Sequence, residues 1–234
     1  MKSTNNFNLI APFYDLLGYL IFGNSLKKSQ LSHLKMVSSG SRVLLLGDGS
    51  GYVLQYLLKY NNCAKIDYID ASSRMAEQAK DRIKITRSTT KINFIIKKME
   101  DVDITEKYDV VITSFFLDLF EENKLRLILS KVDQCTNEDG YLIVTDFKIK
   151  KDNLHSYWQK LLVKAMILFF KITSNIEIKQ LQDIWKTIES FHFQESEASD
   201  FYKGMIRSSV FSKNKVAYKE SSFTASQAIK PDPI

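Results

Sequence analysis

Five short strand-like runs divide the first 146 residues of the chain, at Val43–Leu46, Lys65–Ile69, Ile92–Ile96, Tyr108–Thr113 and, after a turn, Gly140–Asp146. Between them apolar residues return at helical spacing over Val53–Lys59, Ser73–Thr86 and Glu121–Val132. Val43–Leu46 is apolar at every position, the pattern of a strand covered on both faces. Strands alternating with helices imply a parallel sheet, right-handed crossovers and helices on both sides. The pattern changes after Asp146. Leu154–Ser174 is apolar around most of a helical circumference, and Leu181–Ser190 predicts a second helix. Phe191–Glu197 and Met205–Ser212 then read as successive strands with no helix between them, which predicts an antiparallel pair at one sheet edge. Residues 7–36 read as helical, with Pro12 as a start and Gly18 and Gly23 as breaks.

Glycine is scarce in the chain, with 8 in all, yet Gly47, Gly49 and Gly51 fall together in Arg42-Val-Leu-Leu-Leu-Gly-Asp-Gly-Ser-Gly-Tyr52. They end the first strand and open the next helix, the place where an open parallel sheet binds ligands. Glycines there let a ligand approach the backbone, and amides at a helix start favour an anionic group. Asp70 ends the second strand, where a carboxylate is placed to accept both hydroxyls of a ribose. Together these features predict a nucleoside-containing cofactor. The dinucleotide fingerprint needs glycine at position 52, where Tyr52 stands, so an NAD-dependent oxidoreductase is the less favoured alternative.

The ordered set VLLLGDGSG, IDYIDASSRM, YDVVITSFFLDLF and NEDGYLIVTDF resembles the class I S-adenosylmethionine-dependent methyltransferases over about residues 41–147. The N-terminal NLIAPFYDLLGYLIFG is similar to the helical cap of methyltransferases acting on quinones, lipids and other small molecules. The resemblance implies an α/β fold, Rossmann-like and doubly wound, with a mostly parallel seven-stranded sheet and an antiparallel edge strand. One domain would span 1–234, with a helical cap (1–36), a cofactor-binding core (41–147), a helical lid (150–190), a terminal strand pair (191–218) and a mobile tail (219–234). It implies S-adenosylmethionine as cofactor and S-adenosylhomocysteine as product. Gly47, Gly49 and Gly51, with the backbone around Asp48 and Ser50, would line the methionine part. Asp70 would hold the ribose, with Ala71, Ser72 and Met75 near the adenine and further contacts from Met99 and Glu100. Thr113, Ser114 and Phe115 would lie near the methyl-donor end, and Tyr14 would close from the cap. Two departures stand out. The acid that the family commonly keeps two residues before the first glycine is Leu45, and Lys97-Lys-Met-Glu-Asp101 puts lysines before the acids in the segment that usually reaches the adenine amine.

Methyl transfer from a sulfonium needs alignment and exclusion of water, and a base only where the acceptor must lose a proton. Asp118, just after the fourth strand, is the first candidate to orient or deprotonate an acceptor; with Glu121 it also fits an acidic capping box. His155 is the second candidate base, Asp146 faces the pocket by position, and Tyr202 is expected in the core. The apolar, aromatic stretch His155–Ile172 fits a buried helix that also serves as a lid, which implies a lipophilic or aromatic small-molecule acceptor. Lys160, Lys164 and Lys171 on it leave peripheral membrane contact open. A second functional class is a non-catalytic module that keeps the cofactor pocket.

Composition narrows the rest. With 44% hydrophobic and 26% charged residues the chain is globular. Its net charge of +6 is spread without a long like-charge run, so no nucleic-acid partner is expected. Two cysteines and three histidines lack ligand spacing, so no metal is expected, and a reducing cytoplasm fits the cysteine usage. Oligomeric state and acceptor atom stay open.

Overall fold

The computed structural model describes residues 18–148, Tyr157 and residues 183–213. The expectations for Tyr14, for His155, for most of the lid and for the tail therefore lie outside the described residues.

Seven strands form one sheet: β1 (Arg42–Leu46), β2 (Lys65–Asp70), β3 (Lys91–Ile96), β4 (Tyr108–Ser114), β5 (Thr136–Phe147), β6 (Phe193–Phe201) and β7 (Ile206–Lys213). Their order is β3-β2-β1-β4-β5-β7-β6. The first five are parallel, with Val43 opposite both Ile66 and Val110. β7 runs antiparallel to β5 and to β6, so the terminal pair closes one end of the sheet with β6 outermost. Beside the helical residues 18–22, the helices bounded within the described residues are α1 (Ser25–Leu31), α2 (Tyr52–Tyr60), α3 (Ser73–Ile83), α4 (Glu122–Cys135) and α5 (Ile184–Glu189).

The unbroken apolar run in β1 has a direct cause. Val43 and Leu45 enter a core with Leu54 and Leu57 of α2 and Ala79 of α3. Leu44 and Leu46 enter the opposite core with Leu125, Ile128 and Leu129 of α4 and Ile188 of α5. Both faces are dry, so neither parity of the strand is polar; each leucine buried this way contributes about 2 kcal/mol. β3, at the opposite edge, is partly solvated along its length.

β5 begins earlier than expected, at Thr136 rather than Gly140. α4 runs directly into it, and Thr136 Oγ1 donates to Val132 O at 2.6 Å at the junction. The register shift between Tyr108 and Val110 accommodates the added residues.

The described part of the cap, residues 18–36, is helical as expected and is tied to the sheet by long-range bonds. Thr145 Oγ1 donates to Ser29 O at 3.3 Å, and Tyr202 Oη donates to Ile21 O at 2.9 Å. His33, to which the sequence assigns no role, is buried with Nε2 3.1 Å from Ser208 O. Tyr202 thus clamps the cap from the β6–β7 turn, at a positive φ of 46°. No helix among the described residues is long and apolar enough to cross a membrane.

Candidate functional site

β1 lies between β2 and β4, and the chain leaves β1 on one side and returns to β4 on the other. The crevice at their carboxyl ends is the switch point of the sheet. The glycine turn sits there. Gly47, Gly49 and Gly51 have φ of 66°, 60° and 88°, all left-handed. At Gly51 a second requirement adds to the first: a Cβ would come within 2.7 Å of Ala79 Cβ and 2.8 Å of its Cα. The turn therefore passes hard against α3. At Gly47 a Cβ would strike the Phe116 ring at 2.5 Å, so that ring covers the start of the turn.

The ring of Tyr52 does not fill the space between helix and sheet. It lies outside, with the Arg82 guanidinium 3.6 Å from its centroid on α3 and the Lys27 ammonium 5.0 Å away on α1. The close approach falls one residue earlier, at Gly51.

Two carboxylates shape the turn. Asp48 accepts from Val53 N at 3.0 Å and Leu54 N at 2.9 Å, which caps α2 from inside the loop because Gly51 at the N-cap has no side chain. Burial pushes its carboxyl up to about 7 against those two hydrogen bonds. Leu45, where the family that the sequence resembles commonly places an acid, is fully buried in the core. Asp70, partly buried, is held by the Ser72 N–H at 2.8 Å and by the Gly49 N–H, and desolvation raises its carboxyl to about 6. Tyr68 Oη donates to Gly49 O at 2.6 Å and fixes the same turn from β2.

These groups wall an open cleft with about 830 Å³ of empty space, its solvent-filled mouth included. Of the expected cofactor residues, Gly47, Asp48, Gly49, Asp70, Ala71 and Met75 line it, and Met99, Glu100, Ser114 and Phe115 complete the opposite side. Ser50 walls a smaller neighbouring cavity of about 560 Å³ beneath the cap, which shares Gln30, Asp48 and Phe115 with the first. Three expected residues lie in neither wall. Gly51 is turned against Ala79, Ser72 Oγ caps α3 by accepting from Met75 N, and Thr113 is fully buried within β4. Sequence reasoning missed Gln30, Ile69, Lys97, Lys98, Phe116, Leu119 and Phe120. Phe116 and Phe120 carried a signal in the aromatic run after β4; Gln30, on an irregular cap helix, carried none.

The residues fit a nucleoside bearing an amino-acid chain. Ser114 Oγ is buried at the wall with no partner among the described residues, an unmet polar atom that a ligand would satisfy. Around Gly49 only the Met75 sulfur lies within 4 Å of where a Cβ would sit, so the backbone there is open to a ligand.

Asp118 departs from expectation. The residue at the N-cap of α4 is Glu121, with no side-chain cap bond, and Asp118 lies in the 3-10 turn Leu117–Leu119. There it pairs with Asp146, whose Oδ2 accepts from Leu117 N at 3.1 Å and Asp118 N at 3.3 Å. The two buried carboxyls hydrogen-bond each other, which requires a proton on at least one of them. Asp118 is raised to about 6, chiefly by burial, and Asp146 is raised well above the ordinary range by burial and by Asp118. Neither lines the switch-point cavity. Asp118 Oδ1 is buried and has no partner among the described residues.

The buried carboxyls give a stability signature. Asp48 titrates near 7 when folded and near 4 when unfolded, so the folded state holds more protons between those values. The stability its protonation contributes is present at low pH and lost as pH rises through 7. The thermal midpoint of the unliganded protein is expected to rise from pH 8 to pH 6, with about 1 kcal/mol from Asp48. The rise should shrink in Asp48→Asn; an equal rise in that variant would assign it elsewhere.

Residues 43–140 match the family model described as a methyltransferase domain. A malonyl-[acyl-carrier protein] O-methyltransferase from Acetivibrio thermocellus is 30% identical over 105 residues, 45% of this chain and 35% of that protein. One from Bacillus anthracis is 27% identical over 161 residues, 66% of this chain and 56% of that protein. The chain thus spans about a third to just over half of these relatives' length. Among solved structures, the N-methyltransferase NodS from Bradyrhizobium japonicum, in complex with S-adenosyl-L-homocysteine, superposes with a TM-score of 0.58 at 13% identity, covering 80% of this chain and 83% of that one.

Proposed function

We propose that this chain, which carries the fold and the methyltransferase domain of the class I S-adenosylmethionine-dependent methyltransferases, transfers a methyl group from S-adenosylmethionine to a small acceptor. The observation that carries the proposal is the convergence of Gly47, Gly49 and Asp70 on one wall of the switch-point cavity. When bound, the cofactor supplies a methyl already activated by its sulfonium. The protein's part is to hold, orient and keep dry. Asp70 takes the ribose hydroxyls, Met75 and Met99 offer apolar contacts to the adenine, and the open backbone at Gly49 with Ser114 Oγ receives the amino-acid chain.

An apolar or aromatic acceptor is supported by the side chains beyond Phe115. The Phe115, Phe147, Phe22 and Tyr202 rings follow one another at centroid distances of 5.0, 5.5 and 4.9 Å, linking the cavity rim to the cap. Phe115 itself stands at a φ of 50°, a backbone strain of the kind that functional sites retain. Asp118 enters the proposal from behind the wall: paired with Asp146 it holds the turn that carries the cavity residues Phe116 and Leu119. A second acceptor class, the carboxylate of an acyl group on a carrier protein, is favoured by the names of the relatives. Buried, unpaired Cys63 and Cys135 suit a reducing cytoplasm.

The test is methyl transfer from labelled S-adenosylmethionine to apolar phenols and to a malonyl thioester, beside calorimetric binding of S-adenosylhomocysteine. Micromolar binding with transfer to one acceptor class is expected. Binding without transfer to any acceptor would favour the non-catalytic module. In Asp118→Asn, turnover and S-adenosylhomocysteine affinity should both stay within a few-fold of wild type; a selective tenfold loss of turnover would put Asp118 in the chemistry instead.

A further inference from the structure

We infer that Lys131, outside the cavity, is a positioning residue that sets the selectivity of the adenine-facing turn; this rests on the cofactor reading above. The 3-10 turn Met99–Asp101 follows β3, and Met99 and Glu100 line the cavity. Lysines precede it where the family commonly places an acid, so its shape has to come from elsewhere. Lys131 of α4 reaches the turn across 29 to 32 residues of sequence. Its Nζ donates to Glu100 O at 2.7 Å, Val102 O at 2.9 Å and Met99 O at 3.3 Å. All three ammonium hydrogens are spent on one short piece of backbone.

The direction of those bonds matters more than their number. In a trans peptide the C=O and N–H point opposite ways. With Met99 O drawn toward α4, the N–H of Glu100 points away from Lys131. Within the turn, Asp101 N bonds Lys98 O at 3.0 Å and Val102 N bonds Met99 O at 3.3 Å, so those amides are already engaged. Lys131 thus presents the Glu100 amide as a donor, which suits a ring nitrogen that accepts. Adenine offers one at N1; hypoxanthine carries a hydrogen there.

Binding of S-adenosylhomocysteine and of S-inosylhomocysteine to the full chain tests this directly by calorimetry. The wild-type protein is expected to prefer the adenine ligand at least tenfold. Lys131→Met keeps the stem and removes the donors, and the preference should fall at least fivefold. Lys131→Arg, whose guanidinium can still bond the carbonyls, should stay within twofold of the wild-type ratio. If Lys131→Met weakens both ligands equally, the lysine is only structural and the inference fails; it fails also if neither affinity changes. Should Lys131→Met not fold, Lys131→Gln is judged by the same ratio. A wild-type protein that binds neither ligand would remove the cofactor reading itself, whereas a bound wild type with an unmoved ratio removes only the role of Lys131.

Discussion

Replacing Asp70 with alanine is expected to raise the dissociation constant for S-adenosylhomocysteine at least a hundredfold. The carboxylate is positioned before any ligand arrives, held by the Ser72 and Gly49 amides at the end of β2. Each charge-assisted hydrogen bond to a ribose hydroxyl contributes about 1.5–3 kcal/mol. Losing two costs about 3 kcal/mol or more, and every 1.4 kcal/mol is tenfold in affinity. Asp70→Asn keeps one acceptor oxygen and should lose about tenfold by the same scale. The fold should survive, because the desolvated carboxyl contributes little to stability when ionised. Calorimetry gives the affinity and a thermal melt gives the control. A near-normal dissociation constant in a folded Asp70→Ala protein would move the ribose site elsewhere.

Gly51→Val is expected to be the most destabilising single change in the turn. A β-branched residue at a φ of 88° is strained by about 1–3 kcal/mol. The added Cβ also meets the backbone of Ala79, so α3 must shift away from the turn. Together these effects cost on the order of 3–5 kcal/mol, out of the 5–15 kcal/mol that such a domain has in all. The thermal midpoint should fall by roughly 10 °C or more, on the scale of 2–4 °C per kcal/mol. Gly51→Ala should show a smaller loss of the same sign, and Ala79→Gly should recover part of it. A Gly51→Val protein that melts like the wild type would mean that the turn and α3 are not in contact.

What the sequence makes legible is what repeats locally. The dry run Val43–Leu46 states that both faces of β1 are covered. Two strands without a helix between them state that the sheet ends in an antiparallel pair. Three glycines after a strand, with an acid at the end of the next strand, locate the cavity. Each signal lies within a few residues or follows the period of its element. What stays hidden is contact between distant segments. Nothing near Tyr52 says that its ring lies between Arg82 and Lys27. Asp118 followed by Glu121 spells a helix cap, but burial beside Asp146 changes both its partner and its proton. Lys131 looks like any lysine on a polar helix face, because its acceptors are about thirty residues away and belong to the backbone. A carbonyl has no letter in the sequence.

The place of β7 also governs the order in which the molecule is built. β6 leaves the ribosome first, yet its neighbour in the sheet is β7, and only β7 joins that pair to β5. Until residues 206–213 have emerged, β5 keeps an open edge and β6 has nothing to pair with. The β7–β6 end of the sheet is therefore the last to assemble during synthesis, whereas the glycine turn and Asp70, on the early strands, have their sheet neighbours as soon as β4 is complete. A chain stalled before β7 would carry most of the switch-point cavity beside an exposed strand edge, the state in which such a domain is most exposed to aggregation.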